Sequence, residues 1–156
     1  ISTSGTPEGT EDPEDSLAKY QTEMFEALDE ARLTPRFCGS AYFVSADPLV
    51  YDLRLRQASE EHAWDMASND FVSKIGSNGS VLEGRLGDTL YEYNNVGEIA
   101  FGGPSDVQEV VDSWIADPLR CATLMQSDYT NFAVTRVESE TGRFPAYWSV
   151  VFASAR

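Results

Sequence analysis

A single histidine, His62, stands in a chain of 156 residues. An imidazole-built metal site needs a second ligand of that kind, and a catalytic triad would have to find both its nucleophile and its acid beside His62 alone, so such chemistry starts from a deficit. Basic side chains are scarce too: 11 Lys and Arg against 26 Asp and Glu leave a net charge of −15. That surface repels phosphate backbones and anionic lipid heads, which argues against nucleic acid and membrane surfaces as partners. The acids are scattered rather than run together, the pattern of a solvated face. No apolar run approaches the roughly 18 residues of a transmembrane span. The chain shows no internal repeat and no Gly-rich phosphate loop, and "FGGP" at 101–104 reads as a strand end.

The opening stretch, "ISTSGTPEGTEDPEDS", is rich in Ser, Thr, Gly, Pro and acid and has one apolar residue. It has linker composition, and no secretory leader is visible in it. Residues 1–15 are therefore expected to be a flexible acidic linker, in the place where a spacer would follow a secretion or lipid-anchor signal. Residues 16–156 are expected to form one domain, its 42% apolar content being ordinary for a packed core.

Helical periodicity comes first along the chain. In "DPEDSLAKYQTEMFEALDEARL", Asp12 and Pro13 suit a helix start. Leu17, Tyr20, Met24, Leu28 and Ala31 recur on one face, and Thr34-Pro35 ends the run. A second helix fits "DLRLRQASEEHAWDMASND", with Leu55, Ala58, His62 and Met66 on one stripe. A third fits "SDVQEVVDSWIA", with Ser105 and Gln108 as a capping box and Val107, Val110, Val111 and Trp114 inward. Asp117-Pro118 caps a short fourth helix that carries Leu119 to Met125. "NVGEIAFGG", "NFAVTRVES" and "AYWSVVFAS" read as strands, the last two joined by a turn at "ETGR". The order predicts an α+β layer architecture with a small, largely antiparallel sheet.

Only two cysteines are present, Cys38 and Cys121. Spacing alone leaves two readings open. One is a long-range crosslink that requires an oxidising compartment; the other is a pair of unrelated buried thiols.

Several stretches, in order, resemble the secreted CAP superfamily (cysteine-rich secretory proteins, antigen 5, pathogenesis-related proteins) in its bacterial-type branch. They are "ALDEARLTPRFCG", "LRQASEEHAWDMASNDF" with His62, Asp65 and Met66, "SNGS" followed by Arg85, "GEIAFG", "EVVDSWIADPLRCATLM" and "YWSVVFA". The resemblance implies an α-β-α sandwich, a Cys38–Cys121 disulfide and a secreted, periplasmic or cell-surface location. It also implies a central cleft where family members hold divalent metal with two histidines and glutamate. Here the first histidine position falls at Lys74 and the second at Arg120. Neither ammonium nor guanidinium has a lone pair to donate at neutral pH, and both repel a dication. The family glutamate is Glu98 if the motif has lost its Asn. It falls at Gly97 if the register runs back ungapped from Ile99-Ala100, and a one-residue slip in a strand reverses the face.

These substitutions imply a non-catalytic binding or interaction module with no transition-metal cofactor. Its partner would be an extracellular protein or a small ligand, and its degenerate cleft would be formed by Lys74, Glu98 and Arg120. The two cations are expected to pair with Glu98 or another acid across the cleft. Unconnected surface charges or a small anion pocket are the other readings of the same substitutions. An extracellular peptidase-like hydrolase is the first functional alternative, although Glu60-Glu61 and Glu138/Glu140 are weak candidates for its base. A lipid- or sterol-binding protein is the second, with Tyr42, Phe43, Tyr91 and Tyr93 as loop aromatics for a groove. Scattered acids leave oxygen-only calcium binding open. His62, on an apolar stripe, is expected to be a hydrogen-bonded core residue. "NGS" at Asn78 matches a glycosylation acceptor and is first of all a turn signal.

Overall fold

Four strands make the central sheet of the computed structural model, which describes residues 17–87 and 89–156. In chain order the elements are α1 (Lys19–Leu33), β1 (Arg36–Cys38), β2 (Ala41–Phe43), β3 (Val50–Tyr51), α2 (Leu53–Asn69) and α3 (Leu82–Leu86). β4 (Tyr93–Gly103), α4 (Val107–Ala116), α5 (Pro118–Met125), β5 (Asn131–Glu138) and β6 (Ala146–Ala155) follow. The sheet order is β3-β5-β6-β4, antiparallel except for the short parallel β3–β5 contact. β1 and β2 form a separate hairpin. The linker expected over residues 1–15 and the Asp12-Pro13 helix start lie outside the described residues.

Both faces of the sheet are covered, so its strands do not alternate inside and out: the eight residues Ala146–Ala153 of β6 are all buried. Trp148 packs edge-on against Trp114 of α4 and Tyr20 of α1. On the opposite face Thr135, paired with Ser149, meets Ser59 of α2 through a 2.7 Å hydroxyl contact. This is the α-β-α sandwich expected from the sequence. Met24, Leu28, Leu55, Val110, Trp114, Phe132 and Phe152 have no exposed surface. Each such side chain contributes roughly 1.5–3 kcal/mol of transfer free energy.

Two local expectations are corrected. The α4 cap is Asp106, whose carboxylate accepts from Glu109 N at 3.0 Å, rather than Ser105 with Gln108. The extended residue that ends the preceding loop is Asp106 itself, so the cap falls one position later. Tyr42 and Phe43 lie in β2 and Tyr93 opens β4, not in loops. β1, β2, β3 and α3 are too short to leave a periodic signal. Among the described residues no helix is long and apolar enough to cross a membrane.

Candidate functional site

The loop that leaves α2 is shaped by polar contacts. Asp70 caps α2 in the left-handed conformation (φ 51°). His62 Nε2–H then donates to Ser73 O at 2.6 Å. Burial holds the His62 imidazole below its ordinary pKa, against the opposing pull of the Ser73 carbonyl. His62 is therefore a neutral, buried histidine whose Nδ1 has no partner. One turn along α2, the Asp65 carboxylate accepts from Ser77 N (2.7 Å) and Ser77 Oγ (2.6 Å). Gly79, at φ +85°, closes the Asn78-Gly79 turn by donating to Gly76 O.

Arg85 of α3 gathers this loop from behind. Its Nη1 donates to Ser80 O and Ser80 Oγ, and its Nη2 donates to Lys74 O at 3.2 Å and to Glu98 Oε2 at 2.9 Å. The Arg85 side chain is 1% exposed and that of Glu98 6%, so this is a buried ion pair. Burial raises the Glu98 pKa, while Arg85 and, more weakly, Lys74 oppose the rise.

The facing wall is α5. Asp117 caps it by accepting from Leu119 N, and Pro118 occupies its first turn. Cys121 is joined to Cys38, with Cα atoms 5.4 Å apart, which ties the β1–β2 hairpin to the helix. Gly39 takes φ +64° in the hairpin turn, where a Cβ would sit 3.1 Å from Pro118. At the far end, fully buried Arg32 donates to Leu124 O, Gln126 O and Tyr129 O, and its Nε to Asp47 O. The last carbonyls of α5 are thereby satisfied by a cation placed at the negative helix end.

Between the two walls lies a cleft of about 360 Å³, lined on one side by Val72 and Lys74 and on the other by Asp117, Leu119 and Arg120. Glu98 and Ala100 of β4 form its floor. β4 is an edge strand, and Arg120 Nη2 donates to the Ala100 carbonyl at 3.2 Å. In an antiparallel pair a residue's N–H and C=O point to the same side, so the Ala100 amide also faces outward.

Lys74, Glu98 and Arg120 thus line one cleft, but the expected pairing across it is not what the structure has. Glu98 is bridged by Arg85, not by Lys74 or Arg120. Arg120 bonds Asp117 at 2.5 Å within its own helix and lies over the Phe101 ring. Lys74 is exposed and makes no ion pair among the described residues. The physical reason is reach: Arg85 and Glu98 meet from adjacent buried elements, whereas the two expected cations sit on opposite rims.

Gly97 has no room for a side chain, because a Cβ there would collide with the Tyr129 hydroxyl. The acid in the cleft is accordingly Glu98. Arg85 and Asp117, prominent in the geometry, entered the sequence reading only as a loop marker and a helix cap. Five-residue α3 has no period to detect, and only the structure shows Leu82, Arg85 and Leu86 together on its buried side. The carboxylates that line the cleft are Glu98 and Asp117, each already bridged to an arginine.

Similar folds occur in solved structures. An outer surface protein from Borrelia burgdorferi superposes with a TM-score of 0.69 at 17% identity, covering 86% of this chain and 92% of that one. An extracellular protein containing a SCP domain from Bacillus anthracis gives 0.68 at 16% identity over 86% of this chain. A cysteine-rich secretory protein from Staphylococcus aureus gives 0.63 at 16% identity over 91%. The matched region is 40% of each of the latter two chains. No curated protein sequence matches the chain. The model of the cysteine-rich secretory protein family matches residues 44–152, from just after β2 to near the end of β6, and the chain belongs to this CAP family.

Proposed function

We propose that the protein is a secreted, non-catalytic binding module whose cleft has given up transition-metal coordination. The observation that carries the reading is the state of the cleft's charged groups. Lys74 and Arg120 stand where the family resemblance places histidines, and the one buried carboxylate, Glu98, is engaged by Arg85. A dication entering there would meet two cations before it met a free donor. A hydrolytic role finds no support from the neutral, buried His62, which is hydrogen-bonded to a backbone carbonyl.

An oxidising location, outside the cell or in the periplasm, is supported by the Cys38–Cys121 bond, which a reducing cytosol would not maintain. The neighbours whose names describe an outer surface or an extracellular protein agree with it. The partner is then an extracellular protein or a small ligand rather than nucleic acid.

The test is a zinc titration of the wild type beside the Lys74→His/Arg120→His double variant, read by calorimetry. The double variant should take up Zn²⁺ and the wild type should not. Equal uptake by both would defeat the reading.

A further inference from the structure

We propose that two copies of the chain associate, weakly and reversibly, through the outer face of the β1–β2 hairpin. The inference does not depend on how the cleft is read. It starts from where the hairpin's side chains go. Phe37 and Tyr42 are cross-strand partners, and their rings lie 5.0 Å apart on one side of the ribbon. Alternation puts Pro35 and Val44 on that same side. Cys38 takes the other side, where it is buried and bonded to Cys121 of α5. Arg36 shares that inner side by alternation and donates to Ala31 O at 3.0 Å. The Ala46 N–H donates to Arg32 O, which holds Leu33 beside the end of the ribbon. Leu33 and Tyr42 are left 56% exposed, Val44 64% and Phe37 65%, on a support that the disulfide ties in place.

Charge selects the occupant. Each copy carries −15, so a second copy is repelled over most of the surface. Residues 31–46 contain neither Asp nor Glu. The other exposed large apolar side chains, Ile75 apart, each have an acid within two positions. Asp52 stands beside Val50 and Leu53, Asp65 beside Trp64, Glu83 beside Val81, Glu92 beside Leu90 and Asp117 beside Leu119. In a two-fold contact a patch meets its own copy, so any charge on it faces its like. The hairpin face carries none, and Glu30 and Asp47 fall only at its rim. Area sets the strength. The four apolar side chains offer on the order of 400 Å² per copy, a patch size that is often functional on a monomer. Two such faces with their polar rims bury about 1,000 Å², the low end for a specific interface, which suits a transient dimer.

The experiment is sedimentation velocity on a concentration series of the full chain in about 20 mM and about 500 mM NaCl, where the Debye length falls from roughly 20 Å to roughly 4 Å. A monomer–dimer equilibrium should appear and tighten several-fold at the higher salt, because screening removes repulsion between the two copies while leaving the apolar contact. Phe37→Ser with Tyr42→Ser should weaken it about tenfold or more, the scale of a central aromatic pair. Val44→Glu, which sets like charges against each other across the two-fold, should weaken it as well. Trp64→Ser, which removes a side chain 60% exposed on α2, should leave it unchanged. Amide NMR shifts that change on dilution of the wild type should be confined to residues 33–45. The inference is overturned by a chain that stays monomeric at both salts, by a dimer that loosens as salt rises, or by dilution shifts elsewhere. It is equally overturned if the hairpin variants have no effect or Trp64→Ser matches them. Binding to phosphatidylcholine vesicles that the double serine variant abolishes, in a chain that does not self-associate, would assign the face to a lipid surface instead.

Discussion

The two walls of the cleft are held by different physics. The α5 wall is covalently tied through Cys121 to Cys38, capped at its start by Asp117 and satisfied at its end by buried Arg32. The 71–87 wall has no crosslink. It depends on one histidine contact, two hydrogen bonds to Asp65 and the reach of Arg85, and it leaves buried polar atoms at His62 Nδ1 and Arg85 Nε without partners. The comparison teaches that one cleft can combine a covalently tied side with a side held by a few hydrogen bonds.

Removing the tie should cost most. Cys38→Ser with Cys121→Ser opens an 83-residue separation and should lower stability by up to about 4–5 kcal/mol in the chain-entropy account. Urea unfolding measures it, and a loss under about 1 kcal/mol would erase the supposed rigidity of the α5 wall.

Next comes Arg85→Met, which strands the buried Glu98 carboxylate. A loss of about 3–5 kcal/mol is expected, much of it recovered when Glu98→Gln is added. Purely additive behaviour of the two changes would show that the ion pair does not hold the loop.

Asp65→Ala should cost about 1 kcal/mol. It should speed hydrogen exchange at amides 73–80 while leaving α5 amides protected. Equal acceleration on both walls would collapse the distinction between them.

His62 supplies a smaller, pH-dependent difference. Its folded pKa is depressed by burial, so its contribution is present above the unfolded value of about 6.5. That contribution is lost as pH falls, because the unfolded chain then binds the proton more readily. Stability should therefore decline below pH 6.5 with a slope that His62→Gln reduces. Glu98 works in the opposite sense: its raised pKa favours the folded state below the unfolded carboxyl value, and that advantage disappears as pH rises.

The smallest effect is expected from Lys74→Glu. Lys74 is exposed and without an ion pair among the described residues, so a change within about 0.5 kcal/mol is anticipated in thermal unfolding. A larger loss would restore the cross-cleft pairing that the geometry does not show.

Much of the architecture was legible in the order of residues. Met24, Leu28 and Ala31, then Leu55, Ala58 and Met66, then Val107, Val110, Val111 and Trp114 recur at helical spacing and are all buried. Asp117-Pro118 marked the start of α5 because capping is a local interaction between neighbouring residues. Strand β6 showed its β-branched and aromatic density, but not that both of its faces would be covered. The two-residue β3 and five-residue α3 offered no period to detect. For the cleft, residue identities at 74, 98 and 120 were visible, while the partner of Glu98 was not, since thirteen residues and a change of element separate it from Arg85.

The sequence by itself determined the inventory: one imidazole, two cysteines, an excess of acid, and lysine and arginine where ligands for a metal would be needed. These are matters of composition and order, and no folding can add a lone pair to a cation. Only the tertiary structure decided which opposite charges meet. Arg85 reaches Glu98 in a dry interior while Lys74 stays at the wet rim, and the energy of a charge pair depends on distance and surrounding solvent, neither of which is written in the linear chain.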